Sequence, residues 1–243
     1  MAISALIVIA IFVGIRAFIM QPFNIPSGSM KATLLIGDHV AVTKFSYGYS
    51  RYSLPFSPIP FSGRIFASLP ERGDIVVFRA FVDGEERDLI KRIVGLPGET
   101  IQVTGGQLQI NGQPVKREQI ANFVGEDACA GDITTRIAQV KRWRETLPNG
   151  VVHETLDCSE RGELDNTPVF TVPAGQYFMM GDNRDASLDS RVPSPEGFGF
   201  VPFENIIGRA QIVYFSVHEG EQAWMVWRWP WSVRWSRLFT VLR

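Results

Sequence analysis

Leu89-Ile90-Lys91-Arg92-Ile93-Val94 and Ile75-Val76-Val77-Phe78 are the two stretches that decide the fold class of this chain. Both are short runs rich in β-branched and other apolar residues, which is typical of strands in a buried sheet. The dipeptides Gly105-Gly106 and Asn111-Gly112 lie between further strand-like runs and are typical of hairpin turns. Helical periodicity is weak outside the N-terminus. The sequence therefore predicts a mostly β protein.

The chain divides into an N-terminal anchor, a β core with an insertion, and a tail. Strand-like runs return at 169–172, 177–180 and 206–216, whereas residues 114–168 are more polar and contain both cysteines. We predict a membrane-anchor helix followed by an antiparallel β-sheet core with an inserted smaller β lobe. The predicted units are 1–20 for the transmembrane anchor, 21–113 and 169–217 for the core, 114–168 for the lobe, and 218–243 for a Trp/Arg-rich C-terminal tail. Residues 45–70 are predicted to form a long loop.

The N-terminal segment is apolar from Ala2 to Ile15, and four more apolar residues follow Arg16. As a helix through Met20 it would be about 30 Å long, just enough to cross a bilayer with Arg16 reaching toward one end. A cleavable signal peptide is a second interpretation, although a basic start is missing and only Ser27 and Ser29 have the spacing of a cleavage site. A buried core helix is the third. We favour the membrane anchor.

Composition narrows the possible functions. The net charge of −1 argues against a nucleic-acid binder that works by phosphate neutralisation. Cys129 and Cys158 do not have the spacing of a zinc site, and in an oxidising compartment they would be able to form one disulfide. Five of the six tryptophans lie in the last twenty residues among several arginines. This tail either packs onto the core or contacts membrane lipid at the interface.

Pro26-Ser27-Gly28-Ser29-Met30 is the first candidate for chemistry, because a glycine separates two hydroxyls. Such a turn can present one serine as a nucleophile and direct a neighbouring N–H or O–H at an oxyanion, or it can simply join two segments. Lys91 is a candidate base, since alternation places it on one strand face with Leu89 and Ile93. An apolar surrounding lowers the pKa of an ammonium, as a lysine base requires. Arg92 has equally apolar neighbours, so spacing alone does not single out Lys91.

Four motifs in order resemble those of bacterial type I signal peptidase, a family of Ser/Lys proteases. They span residues 21 to about 210 and are Ile25–Met30 with Thr33–Asp38, Glu71–Phe78, Ile90–Gly98, and Met180–Arg191. The resemblance implies a membrane-bound endopeptidase on the outer face of the bacterial cytoplasmic membrane. It would remove signal peptides from exported preproteins after small residues, in the pattern Ala-x-Ala. No metal or organic cofactor is implied.

The resemblance also implies a role for each matching residue. Ser29 is the expected nucleophile and Lys91 the general base, and the Ser29 N–H with the Ser27 hydroxyl forms the oxyanion hole. Ser187 is expected to hydrogen-bond and orient the Lys91 amine, with Asp189 and Arg191 as a supporting ion pair. The residues expected to line the substrate pockets are Phe23, Ile25, Met30, Leu34, Leu89 and Ile90.

One departure and two alternatives remain. Lys31-Ala32 replaces the family's usual residue–proline pair after Met30, which is expected to loosen the start of the following turn. A self-cleaving Ser/Lys protease of the phage-repressor type would share the dyad, but it would carry a DNA-binding region where this chain is apolar. A catalytically silent, membrane-tethered β domain that binds signal peptides or other partners is the alternative outside the enzymes.

Overall fold

The computed structural model describes residues 4, 7–8, 14–53, 61–126, 129, 137–159 and 161–242. Within these residues, fifteen strands form three antiparallel sheets, so the predicted mostly β fold is confirmed. The strands are β1 (Met20–Asn24), β2 (Asp38–Thr43), β3 (Ile75–Val82), β4 (Glu85–Gly95), β5 (Thr100–Thr104), β6 (Gln107–Ile110), β7 (Gln113–Pro114), β8 (Lys116–Glu126), β9 (Ile137–Thr146), β10 (Val152–Asp157), β11 (Phe170–Thr171), β12 (Gln176–Met180), β13 (Val201–Pro202), β14 (Ile206–Ser216) and β15 (Thr240–Val241).

The helical elements whose bounds lie within the described residues are short. Single 3₁₀ turns lie at Gly28–Met30, Arg51–Ser53, Phe203–Asn205, Val226–Arg228 and Trp235–Arg237, a π-helical turn lies at Ile15–Ile19, and one α-helical turn spans Trp229–Ser232.

The largest sheet holds the candidate catalytic strand in its interior. Its strands follow the order β1-β2-β14-β3-β4-β12-β13, and β15 pairs with β14. Alternate residues of its strands point into two different cores, as the period of two in a strand requires. Val77 and Ile90 lie in a core with Leu34, whereas Val76 and Ile93 lie in a core on the other side. Both faces are therefore buried at Ile75–Phe78 of β3 and in the second half of β4, and the apolar run Ile75–Phe78 fits this burial.

Two smaller sheets complete the fold. The order β11-β5-β6-β7 contains both predicted hairpin turns, where Gly105, Gly106, Asn111 and Gly112 all have positive φ. This backbone conformation is the one that favours Gly and Asn in tight hairpins. Strands β10-β9-β8 form the third sheet, within the predicted inserted lobe. A disulfide joins Cys129 to Cys158, which resolves the question left open by the sequence.

Half of the residues of the predicted membrane anchor over 1–20 lie outside the described part of the chain. In the part of the chain that is described, no helix is both long and apolar enough to cross a membrane. The last residue of the predicted span, Met20, is the first residue of β1. The predicted long loop contains the turn at Arg51–Ser53 and a bridge between Tyr49 and Ile65, and its residues 54–60 lie outside the described chain.

The C-terminal tail packs back onto the main sheet. Thr240 and Val241 pair with β14, and Arg237 bonds to the buried Asp38 carboxylate through Nε at 3.0 Å and Nη2 at 2.5 Å. The ring of Trp229 packs on that of Phe215, with centroids 5.1 Å apart. Four other tryptophans of the tail, Trp224, Trp227, Trp231 and Trp235, remain exposed.

Candidate active site

The candidate nucleophile lies in a tight turn at the end of an extended segment. Ser27 is extended, with φ −131° and ψ 157°, and the 3₁₀ turn Gly28–Met30 follows it. Met30 anchors this turn because its side chain is fully buried in the core and its carbonyl accepts hydrogen bonds from the N–H groups of Thr33 and Leu34. Ser29 is thereby held at a fixed position, largely buried.

Lys91 reaches this turn from β4. Its Nζ lies 2.6 Å from the Ser29 Oγ, and the side chain is only 4% exposed. Burial lowers the pKa of Lys91 to about 8, although the Asp189 and Asp182 carboxylates oppose this shift. A neutral amine in contact with a serine hydroxyl is therefore accessible near neutral pH. This pair has the geometry and the pKa that a general base and its nucleophile need.

The segment 181–183 locks the nucleophile turn from the other side. The Asn183 side chain donates to the Gly28 carbonyl at 3.0 Å, and the Asn183 N–H donates to the Ser29 carbonyl at 3.1 Å. A Cβ on Gly181 would lie 2.6 Å from the Ser29 carbonyl oxygen and 2.2 Å from the Ser187 Oγ. Only glycine fits this close approach. The motif Met180–Arg191 contains both Gly181 and Asn183, but the resemblance assigned no role to either of them.

Arg92, the neighbour of Lys91, is committed to a buried ion pair. Its Nε and Nη2 both lie 2.8 Å from the Asp182 carboxylate, which also accepts the Thr33 hydroxyl at 2.5 Å. Burial would raise the pKa of Asp182, but Arg92 overrides this effect and lowers it, so the carboxylate is charged. Through Thr33, the pair connects β4 and the 181–183 segment to the residues that follow the nucleophile turn. Strand spacing alone did not single out Lys91 over Arg92 as the buried base. Their contacts distinguish them, because Arg92 pairs with Asp182 and Lys91 contacts Ser29.

Asp189 and Arg191 lie beside this segment as a second buried pair. Arg191 donates to both Asp189 oxygens at 2.8 Å, and Asp189 also accepts the Gly181 N–H at 3.1 Å. Burial acts to raise the pKa of Asp189, and the Arg191 guanidinium outweighs it and keeps the pKa low. The negative charge of Asp189 opposes the fall in the pKa of Lys91 that burial causes, and its carboxylate holds the backbone N–H of Gly181.

The structure corrects the expectation that Ser187 forms a hydrogen bond with the Lys91 amine. The Ser187 Oγ is buried and has no hydrogen-bond partner among the described residues. The physical reason is packing, since this hydroxyl lies against the Cα of Gly181 and the Lys91 amine is directed at Ser29 instead. Ser187 therefore packs on the backbone that supports the site and makes no hydrogen bond to the amine.

A shallow cavity of about 70 Å³ opens beside Ser29 and Lys91. Phe23, Ile25, Leu89 and Ile90 line it as the resemblance implies, and Ser27 shares it with the dyad residues. Met30 and Leu34 do not line it, because both are fully buried in the core behind it. Four lining residues were not foreseen, namely Asn24, Pro26, Val77 and Asp88, and Asp88 is held by the Arg79 Nε at 2.6 Å.

Two strand edges border this cavity. β1 ends the main sheet, and β4 pairs with β12 only at Arg92, Ile93 and Gly95. Across the described residues, the side of β4 that faces away from β3 therefore has no strand partner at Leu89–Lys91. Unpaired edges of this kind can accept an extended peptide by main-chain hydrogen bonding.

The sequence model of the family described as "Signal peptidase, peptidase S26" matches residues 1–215. The chain belongs to this family. Its similarity to individual members is also extensive, at 47% identity over 217 residues to the signal peptidase I of Rickettsia typhi, covering 86% of this chain and 77% of that protein. The signal peptidase I of Rickettsia prowazekii is 46% identical over the same length.

A solved structure of a signal peptidase I from Enterococcus faecalis is also similar to this chain. It is 28% identical and covers 58% of this chain and 97% of the other, with a TM-score of 0.32.

Proposed function

We propose that this chain removes signal peptides from exported preproteins, with Ser29 as nucleophile and Lys91 as general base. Membership of the peptidase family makes it a serine endopeptidase. The observation that carries the assignment of the two residues is the 2.6 Å contact between the Ser29 Oγ and the buried Lys91 Nζ. A silent binding domain would have no need for a buried lysine in contact with a serine hydroxyl.

The neutral Lys91 amine takes the proton of Ser29 as its Oγ attacks the carbonyl carbon of the scissile bond. The negative oxygen that develops is stabilised by the Ser29 N–H and the Ser27 hydroxyl. Lys91 then gives its proton to the departing amine, which becomes the N-terminus of the mature protein. Water, activated by the same amine, hydrolyses the acyl-enzyme and releases the signal peptide with a free carboxylate.

The shallow shape of the cavity supports selection of small residues. Ile25, Val77 and Ile90 are buried apolar residues of its lining, and a bulky side chain that entered deeply would overlap with them. We propose that the substrate enters as an extended strand between the free edges of β1 and β4. Alternate side chains would then point into the cavity, which accounts for a preference for the pattern Ala-x-Ala.

We further propose that the enzyme acts at the outer face of the cytoplasmic membrane, anchored through residues 1–20. Exposed apolar side chains at Phe18 and Ile19 and the four exposed tryptophans of the tail support contact with lipid. A site close to the bilayer meets a preprotein whose own apolar segment is still in the membrane.

The test is cleavage of a purified preprotein with an Ala-x-Ala signal, in detergent, by the full chain. We expect wild type to cut and Ser29→Ala and Lys91→Ala each to lose at least a thousandfold in rate, since removal of a nucleophile or its base has this scale. Lys116→Ala is the matched control, because Lys116 is exposed and pairs with Glu118 on β8. It should retain full activity.

Full activity in either dyad variant would remove that residue from the mechanism. A wild-type chain that folds and binds the preprotein without cutting it would instead favour the silent binding domain.

A further inference from the structure

A second cavity, of about 260 Å³, lies on the outside of the main sheet. Its lining consists of Ile15, Arg16, Met20, Pro22, Ala41 and Tyr214, from the π-helical turn and strands β1, β2 and β14. It shares no lining residue with the cavity beside Ser29. Its size is close to the lower end of the range for small-molecule sites. The substrate groove therefore does not account for it.

Charge indicates what this cavity can hold. Arg16 is the single charged residue in an otherwise mostly apolar lining. No hydrogen bond or ion pair links its guanidinium to any of the described residues. Burial lowers the pKa of Lys44, and the positive charge of Arg16 lowers it further, so the charged group that Arg16 affects has the same sign as Arg16 itself. The site thus presents a positive charge without a carboxylate, at the edge of an apolar space, and favours an anionic group attached to an apolar chain.

The surroundings identify the medium from which such a ligand comes. Ile15, Phe18, Ile19 and Met20 are between 40% and 53% exposed on the segment that forms one wall. Val241 lies on β15, which pairs with the strand that carries Tyr214, and it is also exposed. Tyr214 itself has an apolar ring and a polar hydroxyl, a combination suited to the boundary between lipid and water. Exposed apolar side chains on these neighbouring segments are suited to a bilayer surface.

We propose that this cavity binds one acyl chain of an anionic phospholipid, with the lipid phosphate held by Arg16. The chain occupies the space between Met20, Ala41 and Tyr214, and the guanidinium donates to the phosphate oxygens in the forked geometry that arginine offers. The proposal rests on the membrane attachment proposed above and makes it specific, because it gives the enzyme one resident lipid in addition to general contact with the bilayer.

Native mass spectrometry of the full chain, released from detergent, tests the proposal directly. The probes are phosphatidylglycerol, phosphatidylcholine and glycerol 3-phosphate, which separate the headgroup charge and the acyl chain from the phosphate alone. We expect one retained phosphatidylglycerol per chain, at least tenfold weaker retention of phosphatidylcholine, and no retention of glycerol 3-phosphate.

Three variants locate the lipid. Ala41→Trp fills the cavity and Met20→Trp narrows it from an exposed position that does not disturb the core, and each should reduce retention at least tenfold. Arg16→Gln should lower phosphatidylglycerol retention to the level of phosphatidylcholine. Arg87→Gln is the matched control, since Arg87 is an exposed arginine of the β3–β4 hairpin that pairs with Glu85. It should retain lipid as wild type does.

Equal retention in all variants, retention of glycerol 3-phosphate alone, or a lipid-free dimer that covers the cavity would each overturn the proposal. Vesicle co-sedimentation and preprotein cleavage are measured in parallel. If both persist while specific retention is absent, only the lipid site is wrong. If membrane binding or cleavage by wild type fails, the proposed function is wrong.

Discussion

Lys91 and Lys44 show how position decides what a lysine does. Burial lowers the pKa of each to about 8, and in Lys44 the nearby Arg16 adds to this effect. Lys91 contacts the Ser29 hydroxyl, whereas Lys44 donates to the Ser53 carbonyl and holds a loop. The pKa of an amine is therefore not sufficient to identify the base, and the contact with a nucleophile makes the distinction.

The pH dependence of cleavage follows from the lowered pKa of Lys91. A base must be neutral, so kcat/KM should rise about tenfold per pH unit below an inflection near pH 8 and level off above it. The measurement is kcat/KM for a short peptide without ionisable groups near the cut, between pH 5.5 and 10. Lys44→Met is the control, because it removes the other amine with the same pKa and should leave the inflection in place. An inflection that moves in Lys44→Met, or that lies near 10.5, would contradict the role of Lys91.

The proposed dyad rests on motifs, whereas the roles of its neighbours depend on packing. Ser29 and Lys91 lie in motifs whose order along the chain is specific, and the 2.6 Å contact between them supports the proposed roles. The expectation for Ser187 was wrong, and no role was assigned to Asn183, because a motif does not state which way a buried hydroxyl or amide points. That direction is set by the packing around Gly181.

At the scale of elements, the site depends on three segments that meet. The 3₁₀ turn at Gly28–Met30 carries Ser29, the proposed nucleophile, and β4 carries Lys91, the proposed base. The segment after β12 connects them through Asn183 and Asp182. The clearest strands were predicted from their apolar runs, and the hairpin turns from Gly-Gly and Asn-Gly. These features are local, since the backbone conformation of a tight turn selects its own residues.

Asn183 tests the contribution of the third segment. Asn183→Ala removes the bond to the Gly28 carbonyl, and we expect kcat to fall about tenfold with a smaller change in KM, which corresponds to about 1.4 kcal/mol. Asn149→Ala is the control, because Asn149 also donates a side-chain hydrogen bond to a backbone carbonyl, that of Arg72, away from the dyad. It should leave kcat unchanged. Steady-state kinetics on the preprotein distinguish the two variants, and equal values of kcat would show that the turn holds its shape without Asn183.

At the scale of the whole molecule, the C-terminal tail closes the fold behind the nucleophile. The Asp38 carboxylate is fully buried and accepts hydrogen bonds from Arg237, the Ser216 hydroxyl and the Leu35 N–H. Arg237 also donates to the Thr33 carbonyl at 2.9 Å, just after the nucleophile turn. A residue near the C-terminus thus stabilises a segment near the N-terminus.

Arg237→Gln should destabilise the protein by about 2 kcal/mol or more, because it leaves the Asp38 carboxylate buried without its main counter-charge. Thermal and urea denaturation measure the effect. Arg228→Gln is the comparison, since Arg228 forms a more exposed pair with Glu221 and should cost less than about 1 kcal/mol. Equal stability of the two variants would mean that Asp38 is satisfied by its other partners.

The amino-acid sequence by itself determined the mostly β class and the position of the clearest strands and hairpins, and its motifs predict the Ser29–Lys91 pair. These follow from local backbone preferences and from ordered motifs. Only the tertiary structure decided that Arg92 is a structural ion-pair partner, that Met30 and Leu34 lie behind the pocket, that Ser187 packs on Gly181, and that Arg237 neutralises Asp38. The reason is that a side chain's direction and charge partner depend on segments up to about two hundred residues away, whereas strand and turn preferences depend on immediate neighbours.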